Sequence, residues 1–225
     1  MTNQDVKDYY NQLAADYDEN RFNNSYGQYI DLQERNFLNQ ILKNISSKLC
    51  LDLGCGTGRL LDYADYGVDF SEEMLKVAQK KYPQKQLMLS DLTQIPLPND
   101  HLDVIFSFHV IMHQNLETTQ NFIKHAHKKL KSGGKLIFDF PSSKRRKQVN
   151  HQQENWHAAN QMTLQQIRDL TAENWNFVSY RGFLFFPLHR IPKKIRPLCL
   201  SLDNLLCQSP LKEFSSYLVV VLEKK

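Results

Sequence analysis

The chain has 225 residues, 41% apolar and 23% charged, with a formal net charge of +4 and a pI near 8.8. That length suits one well-buried core, and the mild basicity is ordinary for a globular domain, so it gives no reason to expect nucleic acid as a partner. No apolar run is long enough to span a bilayer, and Met1-Thr2-Asn3-Gln4-Asp5 lacks the apolar centre of a signal peptide, which together predict a cytoplasmic protein. Cys50, Cys55, Cys199 and Cys207 form no C-x-x-C pair, and their spacing suits neither a zinc site nor a disulfide framework, so no metal is expected.

In chain order, Val6, Tyr9, Tyr10, Leu13, Ala14 and Tyr17 fall on one face of a helix over about 4–19. Two readings stand for it: an amphipathic helix packed on a sheet, or a lid over a ligand. Asn23-Asn24-Ser25 and Gly27 separate it from a second helix over about 28–44, with Ile30, Phe37, Leu38, Ile41 and Ile45 apolar. A first strand is expected over 48–53, a short helix over 58–64, and a brief strand at Tyr66-Gly67-Val68-Asp69. Ser71 is positioned to cap a helix whose first turn holds Glu72 and Glu73 and whose inner face holds Met74, Val77 and Ala78. Strands follow at 86–90 and 102–108. A helix carrying Phe122, Ile123, Ala126 and Leu130 comes next, stopped by Gly133-Gly134, and Lys135 to Phe140 forms strand five. Beyond Pro141 the pattern loosens through a polar stretch with Trp156. Thr163-Leu164-Gln165-Gln166 then fits a capping box, Phe177 to Phe186 reads as a strand, 198–206 as a helix, and 217–222 as a β-branched last strand.

Strands alternating with helices predict an α/β fold: a doubly wound, Rossmann-like, mostly parallel seven-stranded sheet with helices on both faces and an N-terminal helical cap. One domain over 1–225 is expected. Within it, 1–46 is the cap, 47–140 a ligand-binding core, and 141–225 a C-terminal part whose segment 187–212 caps the acceptor side.

The organising stretch is Leu51-Asp52-Leu53-Gly54-Cys55-Gly56-Thr57-Gly58, a buried strand running into a glycine turn. A helix start after such a turn offers unpaired N–H groups, so the turn reads as a corner built to receive an anionic group. No Lys-Ser or Lys-Thr follows, which excludes a P-loop. The spacing is G-x-G-x-G with Arg59 next, and Asp69 comes earlier than a nicotinamide fingerprint requires.

Leu51 to Gly58 closely resembles the first motif of class I S-adenosylmethionine-dependent methyltransferases. Gly67-Val68-Asp69-Phe70-Ser71, Ser90-Asp91-Leu92, His101-Leu102-Asp103-Val104-Ile105 with Ser107, and Leu130 to Leu136 resemble the family's later motifs in the same order. The stretch between Gly58 and Asp69 is shorter than is usual in the family. The resemblance implies S-adenosyl-L-methionine as cofactor. It sets Gly54, Cys55, Gly56 and Gly58 against the methionine and ribose, Asp52 near the ammonium, and Asp69 on the ribose hydroxyls. Asp91 and Leu92 fall near the adenine, Phe70 and Met74 about its ring, and Ser107 beside the site. It also implies methyl transfer to O, N or C of a small or medium organic acceptor.

His113 and His109, just past strand four, are the candidate bases, with Tyr10, Tyr17 and His189 on the substrate side. Asn/Asp-Pro-Pro-aromatic is replaced by Ser107-Phe108-His109-Val110, which argues against base amino groups in nucleic acid as acceptors. Two basic clusters, Lys144 to Lys147 and Arg190, Lys193, Lys194 and Arg196, read as solvated surface or as contacts to an anionic or membrane-surface acceptor.

Overall fold

A computed structural model describes residues 3–43, 49–149 and 160–225. The expected strand start at Lys48, the helix end at Asn44 and Ile45, and Trp156 lie outside the described residues. The sheet is built from β1 (Cys50–Leu53), β2 (Tyr66–Asp69), β3 (Gln86–Leu89), β4 (Leu102–Ser107), β5 (Leu130–Pro141), β6 (Trp175–Phe183) and β7 (Tyr217–Lys224). Its order is β3-β2-β1-β4-β5-β7-β6. The strands β1 to β5 pair parallel, and β7 runs antiparallel to both β5 and β6. Strand order reverses between β1 and β4, the place where open α/β sheets present their ligand crevice.

The alternation of side chains across each strand divides the core in two. Leu51, Leu53, Ile105, Phe138 and Phe140 point to one face, where they meet Phe122, Ile123 and Ala126 of α5 (Leu116–Lys129). Cys50, Val104, Phe106 and Ile137 point to the other, where they meet Phe37, Leu38 and Leu42 of α3 (Ser25–Leu42) and Ala78 of α4 (Glu72–Lys81). Both faces are thus covered by helices, and the central strands carry continuous apolar burial.

The N-terminal region forms α1 (Asn3–Leu13), a 3-10 turn, and α2 (Tyr17–Phe22) before α3. Helix α3 starts at Ser25, earlier than expected, because the Asn24 side chain accepts from the N–H groups of Tyr26 and Gly27. Gly27 is inside the helix, where a Cβ would lie 2.1 Å from the Arg21 carbonyl oxygen. The caps at Ser71 and Thr163 form as the sequence indicated, the latter as a full capping box.

Two expectations are corrected, and one helix is added. The helix over 58–64 reduces to one 3-10 turn, Leu61–Tyr63. The chain must return at once to pair Leu51 with Tyr66, and Asp65 is tied to Cys50 by both its N–H and its carboxylate. Gly133-Gly134 does not end α5. The helix ends at Lys129, and the glycines lie in a bulge of β5 between the pairs Leu102–Leu130 and Val104–Lys135, with Gly133 at φ +75°. The basic stretch after Pro141 is helical, α6 (Ser143–Gln148), capped by Ser142. Two helices complete the chain, α7 (Leu164–Thr171) and α8 (Arg196–Leu206).

Candidate active site

The glycine turn lies at the C-terminal tips of β1 and β4. Gly54, Gly56 and Gly58 all have positive φ, and a Cβ on Gly54 would meet Val110 Cγ2 at 2.3 Å. The N–H groups of Gly54 and Cys55 both donate to the Val68 carbonyl, at 2.7 and 3.0 Å. Gly56 N donates to Asp69 Oδ2 at 2.8 Å and Gly58 N to the Cys55 carbonyl at 2.9 Å. This overturns the anion-receiving corner expected from the sequence: no α-helix follows the turn, and these four N–H groups are already bonded within the protein.

What the turn presents instead is carboxylate. Asp52, Asp69 and Asp91 line one cavity together with Gly54, Cys55, Gly56, Phe70, Met74 and Leu92. Asp52 is buried, and among the described residues its carboxylate has no hydrogen-bond or ion-pair partner. Burial, reinforced by Asp69 and Glu34 and opposed by Arg59, pushes its pKa up to about 8. Asp69 accepts from Gly56 N and, at 2.9 Å, from Ser71 N; burial raises its pKa against those bonds. Each of its oxygens keeps a lone pair for a ligand hydroxyl. Asp91 Oδ1 is held by the Thr93 N–H and hydroxyl at 2.8 and 2.6 Å, which leaves Oδ2 for a ligand. An unpartnered buried carboxylate between other acids favours a cation.

The N-terminal helices roof this cavity with Val6, Tyr10, Tyr17 and Phe22, so the lid reading of the first helix is the one the contacts support. The roof is fastened by the Thr57 hydroxyl, which donates to Asp18 Oδ1 at 2.5 Å, by a Lys81–Asp18 ion pair, and by the Ser71 hydroxyl on Asn11 Oδ1 at 2.6 Å. Tyr10 reaches down to His113, 3.1 Å from hydroxyl to Nε2. Burial raises the pKa of Tyr10 and of Tyr17, so both hydroxyls are neutral.

His109 also lines the cavity, but in a different setting. It sits at φ +61°, with its N–H bonded to Asp139 Oδ1 at 2.7 Å. Its Nε2 is 2.6 Å from Glu34 Oε1, an ion-pair distance at which the ring N–H is not aimed at the oxygen, and its Nδ1 is 3.6 Å from Asp139 Oδ2. Burial works against the imidazolium, but the two carboxylates outweigh it and raise the His109 pKa. Glu34 is wholly buried. Its pKa would be raised by burial, but Arg59 and His109 hold it at about 2. Arg59 also donates to Asp31 at 2.7 Å and stacks over the Phe22 ring.

Three expected site residues are not brought to the cavity wall. Gly58 faces the core, where a Cβ would lie 2.9 Å from Leu61 Cδ1 and 3.1 Å from Ala78. Ser107 is fully buried, and its hydroxyl donates to the Leu53 carbonyl at 2.7 Å, inside the sheet. His189 is exposed against Tyr26, away from the cavity lining, and the segment 187–212 contributes no lining residue. Sequence reasoning missed Glu34, Arg59 and Asp139. The signal was present as a charge on an apolar stripe: Glu34 among Ile30, Phe37 and Leu38, and Asp139 between Phe138 and Phe140.

Residues 51–138 match the family model described as a methyltransferase domain. An uncharacterized protein of Methanocaldococcus jannaschii is 31% identical over 136 residues, 59% of this chain and 50% of that protein. A probable S-adenosylmethionine-dependent methyltransferase of Mycobacterium tuberculosis is 29% identical over 98 residues, 41% of this chain and 35% of that one. The chain thus spans about half the length, or less, of these curated relatives. Among solved structures, the magnesium protoporphyrin IX methyltransferase of Synechocystis with bound SAH superposes over all of both chains with a TM-score of 0.68 at 19% identity, a likeness of fold. Residues 51–138 thus resemble a methyltransferase domain, and the chain has the fold of a solved S-adenosylhomocysteine-bound methyltransferase, with the glycine turn and the strand-tip carboxylates at its crevice.

Proposed function

We propose that the chain binds S-adenosyl-L-methionine at the β1–β4 crevice and directs methyl transfer to a small or medium organic acceptor by in-line displacement. The observation that carries this is Asp52, a buried carboxylate without a partner among the described residues, which lines the cavity beside the glycine turn. The cofactor supplies an electrophilic sulfonium methyl and a cationic ammonium. Asp52 supplies the counter-charge, Asp69 accepts from the ribose diol, and Asp91 with Leu92 meets the adenine, with Phe70 and Met74 against the ring. Within the described residues, 49–140 accordingly form the cofactor core and α1 and α2 its roof.

For the acceptor, Tyr10, Tyr17, Phe22 and Val6 offer an apolar, aromatic wall suited to an organic ring or chain. The chain chiefly excludes water and aligns the acceptor, because the methyl is already activated. Where the acceptor is a hydroxyl, His113 is the base, oriented by the neutral Tyr10 hydroxyl. His109 is poorly suited to act as a base, because two carboxylates bias it to the imidazolium, which has no lone pair for a proton.

Calorimetry with S-adenosylmethionine, S-adenosylhomocysteine and NADH tests the cofactor reading. The adenosyl compounds are expected to bind; binding of NADH alone overturns the reading. Release of S-adenosylhomocysteine with phenols, amines and carboxylic acids then tests transfer. His113→Ala is expected to lower kcat for a hydroxyl acceptor by about 10²–10⁴-fold with cofactor affinity kept. Release with no member of a broad panel would leave a cofactor-binding protein without transferase activity.

A further inference from the structure

Helix α8 is turned inside out. Its one carboxylate, Asp203, is fully buried. Asp203 Oδ2 accepts from the Tyr29 hydroxyl at 3.0 Å and from Gln33 Nε2 at 3.3 Å, and Oδ1 accepts from the Phe186 N–H at 2.7 Å. Cys199 and Leu200 on the inner side pack against the small apolar cluster around Tyr29, Ile30 and Leu188. Those bonds fix the rotation of the helix, since any turn about its axis strips a buried carboxylate of its donors. The opposite face then presents Leu198, 79% exposed, Leu202, 50%, and Leu205, 64%. Their spacing of four and three residues makes one stripe along the helix. Ile195, three residues before Leu198 at the helix start, continues it and is about half exposed.

Beside this ridge the charge is of one sign. From Pro187 to Leu202 the chain holds Arg190, Lys193, Lys194 and Arg196 and no Asp or Glu. Arg190, Lys193 and Lys194 are exposed. Arg196 is not free: it donates to the Ile191 carbonyl at 2.8 Å and to the Ser25 hydroxyl at 2.7 Å, which pins the segment onto α3.

We propose that α8 and the basic segment before it dock the protein on an anionic lipid surface. The leucine ridge enters the boundary between headgroups and acyl chains while Arg190, Lys193 and Lys194 meet lipid phosphates. Charge selects this occupant. A second copy packed about a two-fold axis would bring the two basic segments together without a compensating acid. None of the described helices is long and apolar enough to cross a membrane, so the contact is peripheral. The surface shares no residue with the cavity, and the inference stands independently of the cofactor reading.

The test is co-sedimentation of the full chain with vesicles of phosphatidylcholine alone or mixed with phosphatidylglycerol, at low and high salt. Binding is expected to the anionic vesicles only and to weaken as salt screens the cations. The triple variant Leu198→Ser, Leu202→Ser, Leu205→Ser should lower the partition coefficient on the order of a hundredfold. Lys193→Glu with Lys194→Glu should abolish the preference for anionic vesicles. Unchanged thermal unfolding of both variants shows that the surface alone was altered; a variant that melts early is replaced by the single change Leu198→Ser, at the most exposed position. No binding to anionic vesicles at low salt overturns the proposal, as does binding that the serine variant leaves intact. A concentration-dependent dimer that the serine variant dissolves, without vesicle binding, assigns the ridge to a second copy instead.

Discussion

The two ends of the sheet treat polar and apolar groups in opposite ways. Around the tips of β2, β1, β4 and β5 the carboxylates of Asp52, Asp69, Glu34 and Asp139 are drawn inside, beside a cavity and the half-buried Arg59 and His109 that share Glu34. At the β7-β6 end one carboxylate, Asp203, is buried to orient a helix, and leucines are turned out. Helix α3 links the two. Glu34 serves the cavity, and its neighbour Gln33 serves α8 and also accepts from the N–H of Leu184, which sits at φ +57°. Burying charge is unfavourable unless it is paired, so Asp52, without a partner among the described residues, is the candidate to meet a ligand, whereas the fully bonded Asp203 is a structural pin.

The largest effect is expected at the buried network. Glu34→Gln leaves Arg59 and His109 without their shared counter-charge and should destabilise the fold by about 3–5 kcal/mol. Thermal unfolding at neutral pH reads this, and a melting temperature within a degree or so of the parent would show that Asp31 and Asp139 suffice. The sign follows from the shift: a depressed carboxylate stabilises above its unfolded pKa, about 4.3, and loses that contribution as pH falls toward about 2. The parent should therefore lose stability between those values more steeply than the variant.

Next is Asp69→Ala, which removes the ribose acceptor and orphans the N–H groups of Gly56 and Ser71. Cofactor affinity should fall on the order of a hundredfold, with the fold kept. Unchanged affinity would mean that the strand-two tip does not meet the ligand.

Asp52 gives a smaller, pH-graded effect. In the ligand-free protein its carboxyl is raised to about 8, so binding a cation at pH 7 must expel its proton. Affinity is expected to rise with pH, approaching about tenfold per unit well below 8 and levelling above it. Calorimetry in buffers of different ionisation heat should register that proton release, and Asp52→Asn should abolish it. A raised carboxyl also costs stability as pH climbs from its unfolded value toward 8, so Asp52→Asn should melt higher than the parent at pH 9. A lower melting point there would mean that Asp52 has a structural partner.

The smallest effect belongs to the leucine ridge. Leu202→Ser should change stability by no more than about 0.5 kcal/mol in solution, because half the side chain is already in water. A larger loss would place that ridge in the core and remove the contrast between the two ends.

Much of this was legible in the sequence because it is local. The continuous apolar runs of β1, β4 and β7, the Ser71 cap and the Thr163 capping box depend on neighbours a few residues away, and all form. The glycine turn was legible as a turn, and Asp69 and Asp91 as strand tips. Its chemistry was not. Whether the N–H groups of Gly54 and Cys55 face a ligand depends on the Val68 carbonyl of the next strand, which takes both. The short helix over 58–64 failed for a similar reason, since the register of β1 against β2 left no length for it.

The resemblance to a methyltransferase domain, the strand alternation and the candidate carboxylates are written in residue type and spacing, and reading the chain was enough to find them. Which of those carboxylates and histidines are already bonded, and which are free, was settled only by packing. It paired His109 with Glu34 from a helix far earlier in the chain, locked Ser107 into the sheet, and left Asp52 without a partner among the described residues. It also turned the leucines of α8 outward through Asp203, which Tyr29 contacts across 174 positions of chain. Desolvation and hydrogen bonding act through space, and spacing along the chain does not encode them.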